Sequence, residues 1–443
     1  MLRGGFSVDL ALLLLLLVAV LAGGGGSPSP LGETVVILAA IAIVIGLAFS
    51  TNGEIGRPDR SAVALALLLP LLAVVQLVPL PPEQALSLPM REGLRAALGA
   101  AGAADAWWPL SLDSMSTLWA LLALVPPMAA FLLATLVPRD RFALVLVAVA
   151  LLALLSAMLG WLQLLSGGGF QIHPRSIDAG PGGLFANQNS QGDMLLIGMC
   201  AILALWFDSA PGRMAGRAMP ASLVVGAVSI LGLSVVLTGS RAAMVLLVVP
   251  VMLYCALFAR KRWAVRSKRE RLLMVATPAI LLVWLALMCW QVPAMGDAVA
   301  RFGIGSEARI SDIWPDSIVL AGAAFPWGTG LGTFAHVFPL VERLEVIDTT
   351  YANRAHCDYL EFVIEAGIFA VAVLAIGLVT VLRSAWRKAR HGMNAADLWA
   401  GSALAIVAAH SLVDYPLRSI SLAVIAAIAL GRFITDQGDH SHV

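Results

Sequence analysis

Hydrophobic and polar positions along this chain fall in long blocks, not at the short periods of a soluble fold. Crossing a bilayer as a helix takes about 20 apolar residues. Runs near that length lie at 8–22, 31–49, 61–80, 117–137, 142–165, 189–207, 221–237, 242–259, 272–291, 357–382, 397–412 and 419–434. The pattern predicts an all-α integral membrane protein of about twelve transmembrane helices.

The segments between the runs carry the polar residues, and their bases set the sidedness. GRPDR (56–60), PRDR (138–141), Arg213 with Arg217, RKRWAVRSKRER (260–271) and RSAWRKAR (383–390) occupy alternate connections. An excess of Lys and Arg marks short cytoplasmic loops, so the N-terminus and these segments are placed inside. Three long connections then lie outside, at 81–116, 166–188 and 292–356. The last combines FPWGTGLGTF (325–334), charges of both signs and several aromatics. It is expected to be an ordered subdomain with short helices along the membrane surface, not a linker. The expected organisation is nine transmembrane helices over 1–291, one large outer loop over 292–356, three more helices over 357–434 and a cytoplasmic tail over 435–443. Arg3, the following apolar run and GGGGSPSP also have the form of a secretory signal peptide, whose removal would leave the downstream orientation unchanged.

Composition agrees with this pattern. Of 443 residues, 60% are hydrophobic and 12% charged, too little polar surface to cover a soluble domain. The net charge of +1 comes with dispersed bases, which gives no reason to expect a nucleic-acid partner. The four cysteines show no CxxC spacing, and Cys200, Cys255 and Cys289 sit inside apolar runs as small hydrophobes. Only Cys357 stands at a segment end.

With the topology set, the remaining polar motifs converge on the outer face. Asn187 and Asn189 in GGLFANQNSQGD precede one helix and Arg241 in LTGSRAAM another. Arg309 in EARISDIW lies in the long outer loop, and His356 stands at the start of the tenth helix. His410, Asp414, Tyr415 and Arg418 in HSLVDYPLRS form the last outer turn. Each has a plain structural reading. Helix-end arginines snorkel, Arg309 can pair with Glu307 or Asp312, and the asparagines can cap and bridge helices. His410 can be a packing residue, and His356 can pair with Asp358 or a loop backbone. Their conjunction on one side supports more. Two arginines match the oxygens of a diphosphate, and a neutral imidazole nearby can accept a proton from a hydroxyl. Asp358, Glu361 and Glu365, at i, i+3 and i+7, share one helical face. There is no HExxH, outer DxD pair or His/Cys cluster at ligand spacing, so no metal or other cofactor is expected.

The motifs in order are G-x-F-A-N-x-N, T-G-S-R-A-A, R-x-S-x-x-W, P-W-G-T-G-L-G-T-F, A-H-x-x-Y-L-x-x-x-x-E-x-G and H-S-L-V-D-Y-P-L-R. Running from about Gly182 to Arg418, they resemble the O-antigen ligase and polysaccharide polymerase superfamily of bacterial inner-membrane glycosyltransferases. The resemblance implies a GT-C-like, metal-independent, inverting enzyme whose active site faces the periplasm. Such an enzyme moves a glycan from undecaprenyl diphosphate to an acceptor sugar hydroxyl. It further implies that Arg241 and Arg309 bind the diphosphate and that His356 activates the acceptor. Asn187, Asn189, Asp358, Glu365, His410, Asp414 and Arg418 are carried as supporting residues. The chain departs from the pattern at Cys357, where the family usually has Asn.

The implied partners are the lipid-linked donor, a glycan or lipid A core acceptor, membrane lipid, and a chain-length regulator or flippase. Polymerase is preferred to ligase because no basic platform for a lipopolysaccharide core is visible; a related branch glycosylates protein. The competing class is a twelve-helix secondary transporter, whose polar groups would be expected at the bilayer midplane. A non-enzymatic scaffold in envelope assembly is the third reading.

Overall fold

The computed structural model describes residues 7–25, 30–50, 56–167, 169–173, 180–208, 219–260, 309–347 and 351–435. The helices are α1 (Val8–Ala22), α2 (Pro30–Ser50), α3 (Arg60–Leu77), α4 (Pro82–Ser87), α5 (Glu92–Ala100), α6 (Ser114–Ala123), α7 (Val125–Leu136), α8 (Phe142–Leu165) and α9 (Gln188–Asp208). They continue as α10 (Ala221–Leu237), α11 (Arg241–Leu246), α12 (Val248–Arg260), α13 (Trp314–Ala324), α14 (Phe334–Val337), α15 (Asp358–Ala366), α16 (Ile368–His391), α17 (Ala395–His410) and α18 (Ile420–Ile434). A two-residue antiparallel ladder, β1 (Pro79–Leu80) with β2 (Trp108–Pro109), closes the connection after α3. Among the described residues, seven helical segments are long and apolar enough to cross a membrane, and four shorter apolar helices accompany them. The chain is a largely helical, multi-pass membrane protein. The predicted span 272–291, and the predicted tail beyond Thr435, lie outside the described residues.

α9 is the axis of the bundle. It is the least apolar of the seven spans and the most buried, packed by α8, α10, α12 and α17. A helix surrounded by protein meets no lipid, so its first turns can carry Asn189, Ser190, Gln191 and Asp193, all buried. A second set of contacts joins α18 to α7 and α1. α1 is part of the packed core: Leu12, Leu15, Leu16 and Val20 are fully buried, and Ser421 Oγ donates to the Ala19 carbonyl at 2.7 Å.

Two predicted spans are interrupted. The run at 117–137 is α6 and α7 joined at Leu124, just before Pro126 and Pro127, and the run at 242–259 is α11 and α12 joined at Leu247. The predicted span 357–382 needs a larger correction. It is two helices, with Gly367 at φ +56° between them. Here the Ile368 N–H donates to the Pro326 carbonyl at 2.9 Å, and a Cβ on Gly367 would stand 2.0 Å from that oxygen. Only glycine fits so close an approach with φ positive. The break lets α15 pack on α13, with its three acids turned to Arg418 and Arg354, and the apolar span begins afresh at Ile368 and runs on to His391.

Candidate active site

The site assembles where α9, α15 and the turn after α17 meet. α8 sets the approach to α9. Gln163 Oε1 accepts from the N–H groups of Gly182 and Gly183 at 2.9 and 2.8 Å, while Ser156 Oγ accepts from the Leu184 N–H at 3.0 Å. The GGLFAN segment is pinned in this way, and Asn187 arrives as the cap of α9, its Oδ1 accepting from the Asn189 N–H at 2.8 Å. Both asparagine side chains then point at one acid. Asn187 Nδ2 and Asn189 Nδ2 donate to Asp414 Oδ2 at 3.1 and 2.8 Å.

The other oxygen of that carboxylate, Asp414 Oδ1, lies 3.2 Å from His356 Nδ1. Asp414 is buried, and two amide donors converge on it. The His356 tautomer with its proton on Nδ1 donates to this carboxylate and leaves Nε2 as an acceptor. His356 is held at φ +52°, a region that non-glycine residues rarely adopt, and its ring meets Tyr415 edge-on at 4.9 Å. The plain reading that pairs His356 with Asp358 is not what the structure has. The Asp358 carboxylate accepts from Ser411 Oγ at 2.9 Å and the Leu417 N–H at 3.1 Å, while its own N–H donates to the Ser411 and Asp414 carbonyls.

Beside the His356–Asp414 pair lies a charge cluster. Arg418 reaches Glu365 at 2.8 Å, Glu361 at 3.1 Å and Asp358 at 3.8 Å, and Arg354 reaches Glu361 at 2.9 Å. Three carboxylates thus share two guanidinium groups. Burial pushes Asp358 up to about 7, against the pull of Arg418, and burial likewise raises Glu365. Glu361, despite its burial, is held below the usual range by Arg418 and Arg354. Arg418 itself is raised by the acids around it, against its burial.

Of the remaining predicted residues, His410 is buried and its Nδ1 lies 2.6 Å from Asp193 Oδ1. Asn189 and Asp193 are one turn apart on α9, as are His410 and Asp414 at the end of α17. The two pairs therefore form successive rungs between these helices. Arg241 begins α11, which Ser240 caps by accepting from the Ala243 N–H at 3.2 Å. That end is held against α9 at Gly192, where a Cβ would stand 2.4 Å from the Ala243 Cβ. Arg309 begins a single irregular turn over Arg309–Ile313, and its side chain lies outside the described residues, as does Glu307. Among the described residues, no group of three or more His, Cys, Asp or Glu side chains could hold a metal ion.

The structure therefore gathers His356, Asp414, Asn187 and Asn189 in one constellation and Asp358, Glu365 and Arg418 in the next. Sequence reasoning missed Asp193, Gln163 and Ser156. Asp193 carried a readable signal, an acid inside an apolar run one turn from a candidate asparagine. Gln163 and Ser156 carried none. Residues 226–375 match the O-antigen ligase family; no curated protein matches the chain. The matched segment holds Arg241, Arg309, His356, Asp358 and Glu365, whereas Asn187, Asn189, His410, Asp414 and Arg418 reach the site from outside it.

Proposed function

We propose that this protein, whose residues 226–375 match the O-antigen ligase family, transfers a glycan from undecaprenyl diphosphate to an acceptor sugar hydroxyl, a step of surface-polysaccharide biosynthesis. The reaction runs at the periplasmic face of the inner membrane, in a GT-C-like bundle of about twelve spans, and the protein acts as a polymerase of O-antigen or exopolysaccharide. The observation that carries this reading is the His356–Asp414 pair, with Nδ1 committed to the carboxylate and Nε2 left as the base.

In the proposed step, His356 Nε2 takes the proton of the acceptor hydroxyl as its oxygen bonds to the anomeric carbon. The bond from that carbon to the diphosphate oxygen breaks, and its electron pair leaves with the lipid diphosphate. Attack from the opposite side inverts the anomeric centre. Negative charge grows on the leaving group, so guanidinium groups already in place there lower the barrier by binding the transition state more strongly than the ground state. Arg241 is assigned this role, together with Arg309 on the ground of its motif. The imidazolium formed at His356 is stabilised by Asp414, which Asn187 and Asn189 hold in register. No step calls for a metal ion.

The test is transfer by the purified full-length protein in lipid nanodiscs, supplied with a repeat unit on undecaprenyl diphosphate. Extension of repeats on the lipid is expected. Transfer that occurs only when lipid A core is added would make the protein a ligase. His356→Ala is expected to lower turnover by at least ~10²-fold, the contribution of a general base, with the variant still folded. Full activity of His356→Ala would remove the histidine from the chemistry, and no transfer to either acceptor would overturn the reading.

A further inference from the structure

Helix α13 buries Leu320 and Ala324 inside yet carries no polar side chain on its exposed face. Its polar residues face inward: Asp316 is buried and held by Arg343, whose N–H and Nε donate to it at 3.0 and 2.6 Å, and Ser317 is fully buried beside it. Its outward face consists of Ile318, Val319, Gly322 and Ala323, with Phe325 just beyond. Ile318 and Val319 are 62% and 60% exposed, and no polar side chain interrupts them. A helix bordered by water carries polar side chains on its outer face, and a contiguous apolar surface of this kind marks a lipid or protein contact.

The position of α13 decides between the two. The chain leaving it, Phe325 to Leu331, is fastened to the ends of two membrane spans. Gln76, in the last turn of α3, accepts from the Leu331 N–H at 2.9 Å, and Ile368, the first residue of α16, donates to the Pro326 carbonyl. Trp327 packs on Phe369 of α16 with ring centroids 6.3 Å apart. The C-terminal end of α13 therefore sits level with the end of α3 and the start of α16. The start of α16 is likewise apolar and exposed, at Ile368 and Val371. Trp327 stands at the boundary, where indoles gather at membrane interfaces.

We propose that α13 is a membrane-seated element: its Ile318, Val319 and Phe325 face contacts the acyl chains of the leaflet in which α3 ends and α16 begins. The helix is about 16 Å long at 1.5 Å per residue. At its other end the Trp314 indole donates to the carbonyl of Ala355, the residue before His356, at 3.0 Å. The same helix is thus tied to the segment that carries His356. This inference is independent of the reaction proposed above, because it concerns only what covers the helix.

The test places nitroxide labels, one at a time, at Ile318→Cys, Val319→Cys and Ala323→Cys in full-length protein with its native cysteines replaced, reconstituted in phosphatidylcholine nanodiscs. Leu378→Cys on α16 serves as the lipid reference and Glu345→Cys on the loop as the aqueous one. Collisions dominated by oxygen, as at Leu378→Cys, are expected. Collisions dominated by a water-soluble nickel chelate, as at Glu345→Cys, would overturn the proposal in favour of water. Immobile labels shielded from both reagents would overturn it in favour of a protein cover. A second measurement needs no substitution: wild-type protein irradiated in nanodiscs containing a phospholipid with a diazirine in its acyl chain. Adducts are expected on residues 318–325 as well as on 371–382, and their confinement to 371–382 would overturn the proposal.

Discussion

Asp414 receives three donors on two oxygens, and an amide in its place cannot accept all three. Asp414→Asn turns an NH2 group toward either the asparagines or the imidazole, releasing the His356 tautomer. Turnover in the transfer assay is expected to fall by ~10²-fold, within the range of a disabled general base, with the KM for the lipid donor within about threefold of wild type. Asp358 gives a different signature. Its folded value of about 7 stands above the ordinary 3.8. Between those values the folded chain keeps a proton that the unfolded chain releases, so this group's stabilisation is lost as pH rises through the window. Glu365 acts in the same direction and Glu361 in the opposite one, and all three share Arg418, so the difference between wild type and Asp358→Asn reads the loss of this proton together with the response of its neighbours. The fall in melting temperature from about pH 4 to about pH 7 is expected to be shallower in Asp358→Asn. Equal slopes would place the surplus proton of the cluster elsewhere.

At the scale of elements, the break between α15 and α16 is what allows three acids to sit beside a long apolar helix. A continuous helix would carry Asp358, Glu361 and Glu365 along the axis of the span. The turn at Gly367 instead delivers them to Arg418 and Arg354. Gly367→Ala combines a strained φ with a Cβ 2.0 Å from the Pro326 oxygen. It is expected to cost about 1–3 kcal/mol in backbone strain alone and more in displaced contacts. Gly377, in the middle of α16, is the matched control, since a Cβ there would meet nothing within 4 Å. Gly377→Ala is expected to be neutral or stabilising, because alanine gains up to about 1 kcal/mol over glycine inside a helix. Thermal denaturation in detergent, with proteolysis of the 309–347 segment, reads both.

Across the whole molecule, the two ends of the bundle use buried charge for different purposes. The end bearing His356 holds the proposed site. At the other end of α17, about 20 Å from His410 by helix rise, Asp397 binds Lys388 at 2.8 Å and Arg432 at 3.0 Å. This triad ties α16, α17 and α18 together, and Arg432 lies over the Phe142 ring. Asp397→Ala leaves two buried cations facing each other, a loss on the order of 3–5 kcal/mol for a broken buried pair. A marked drop in melting temperature is expected, with turnover per folded molecule unchanged. A loss of turnover in the folded fraction would mean that the two ends are coupled.

The amino-acid sequence by itself determined the apolar runs, the gathering of polar motifs between them and the alignment of Asp358, Glu361 and Glu365 on one face. Each of these is a property of neighbouring residues and of a repeat shorter than two helical turns. Only the tertiary structure decided that His356 pairs with Asp414, 58 residues away, and that His410 pairs with Asp193, 217 residues away. Helical periodicity says which residues share a face but not which face another helix presents, or at what height. That register comes from packing, here from α9 lodged between α8, α10 and α17, and from Gly367 ending a helix that its apolar sequence would have continued.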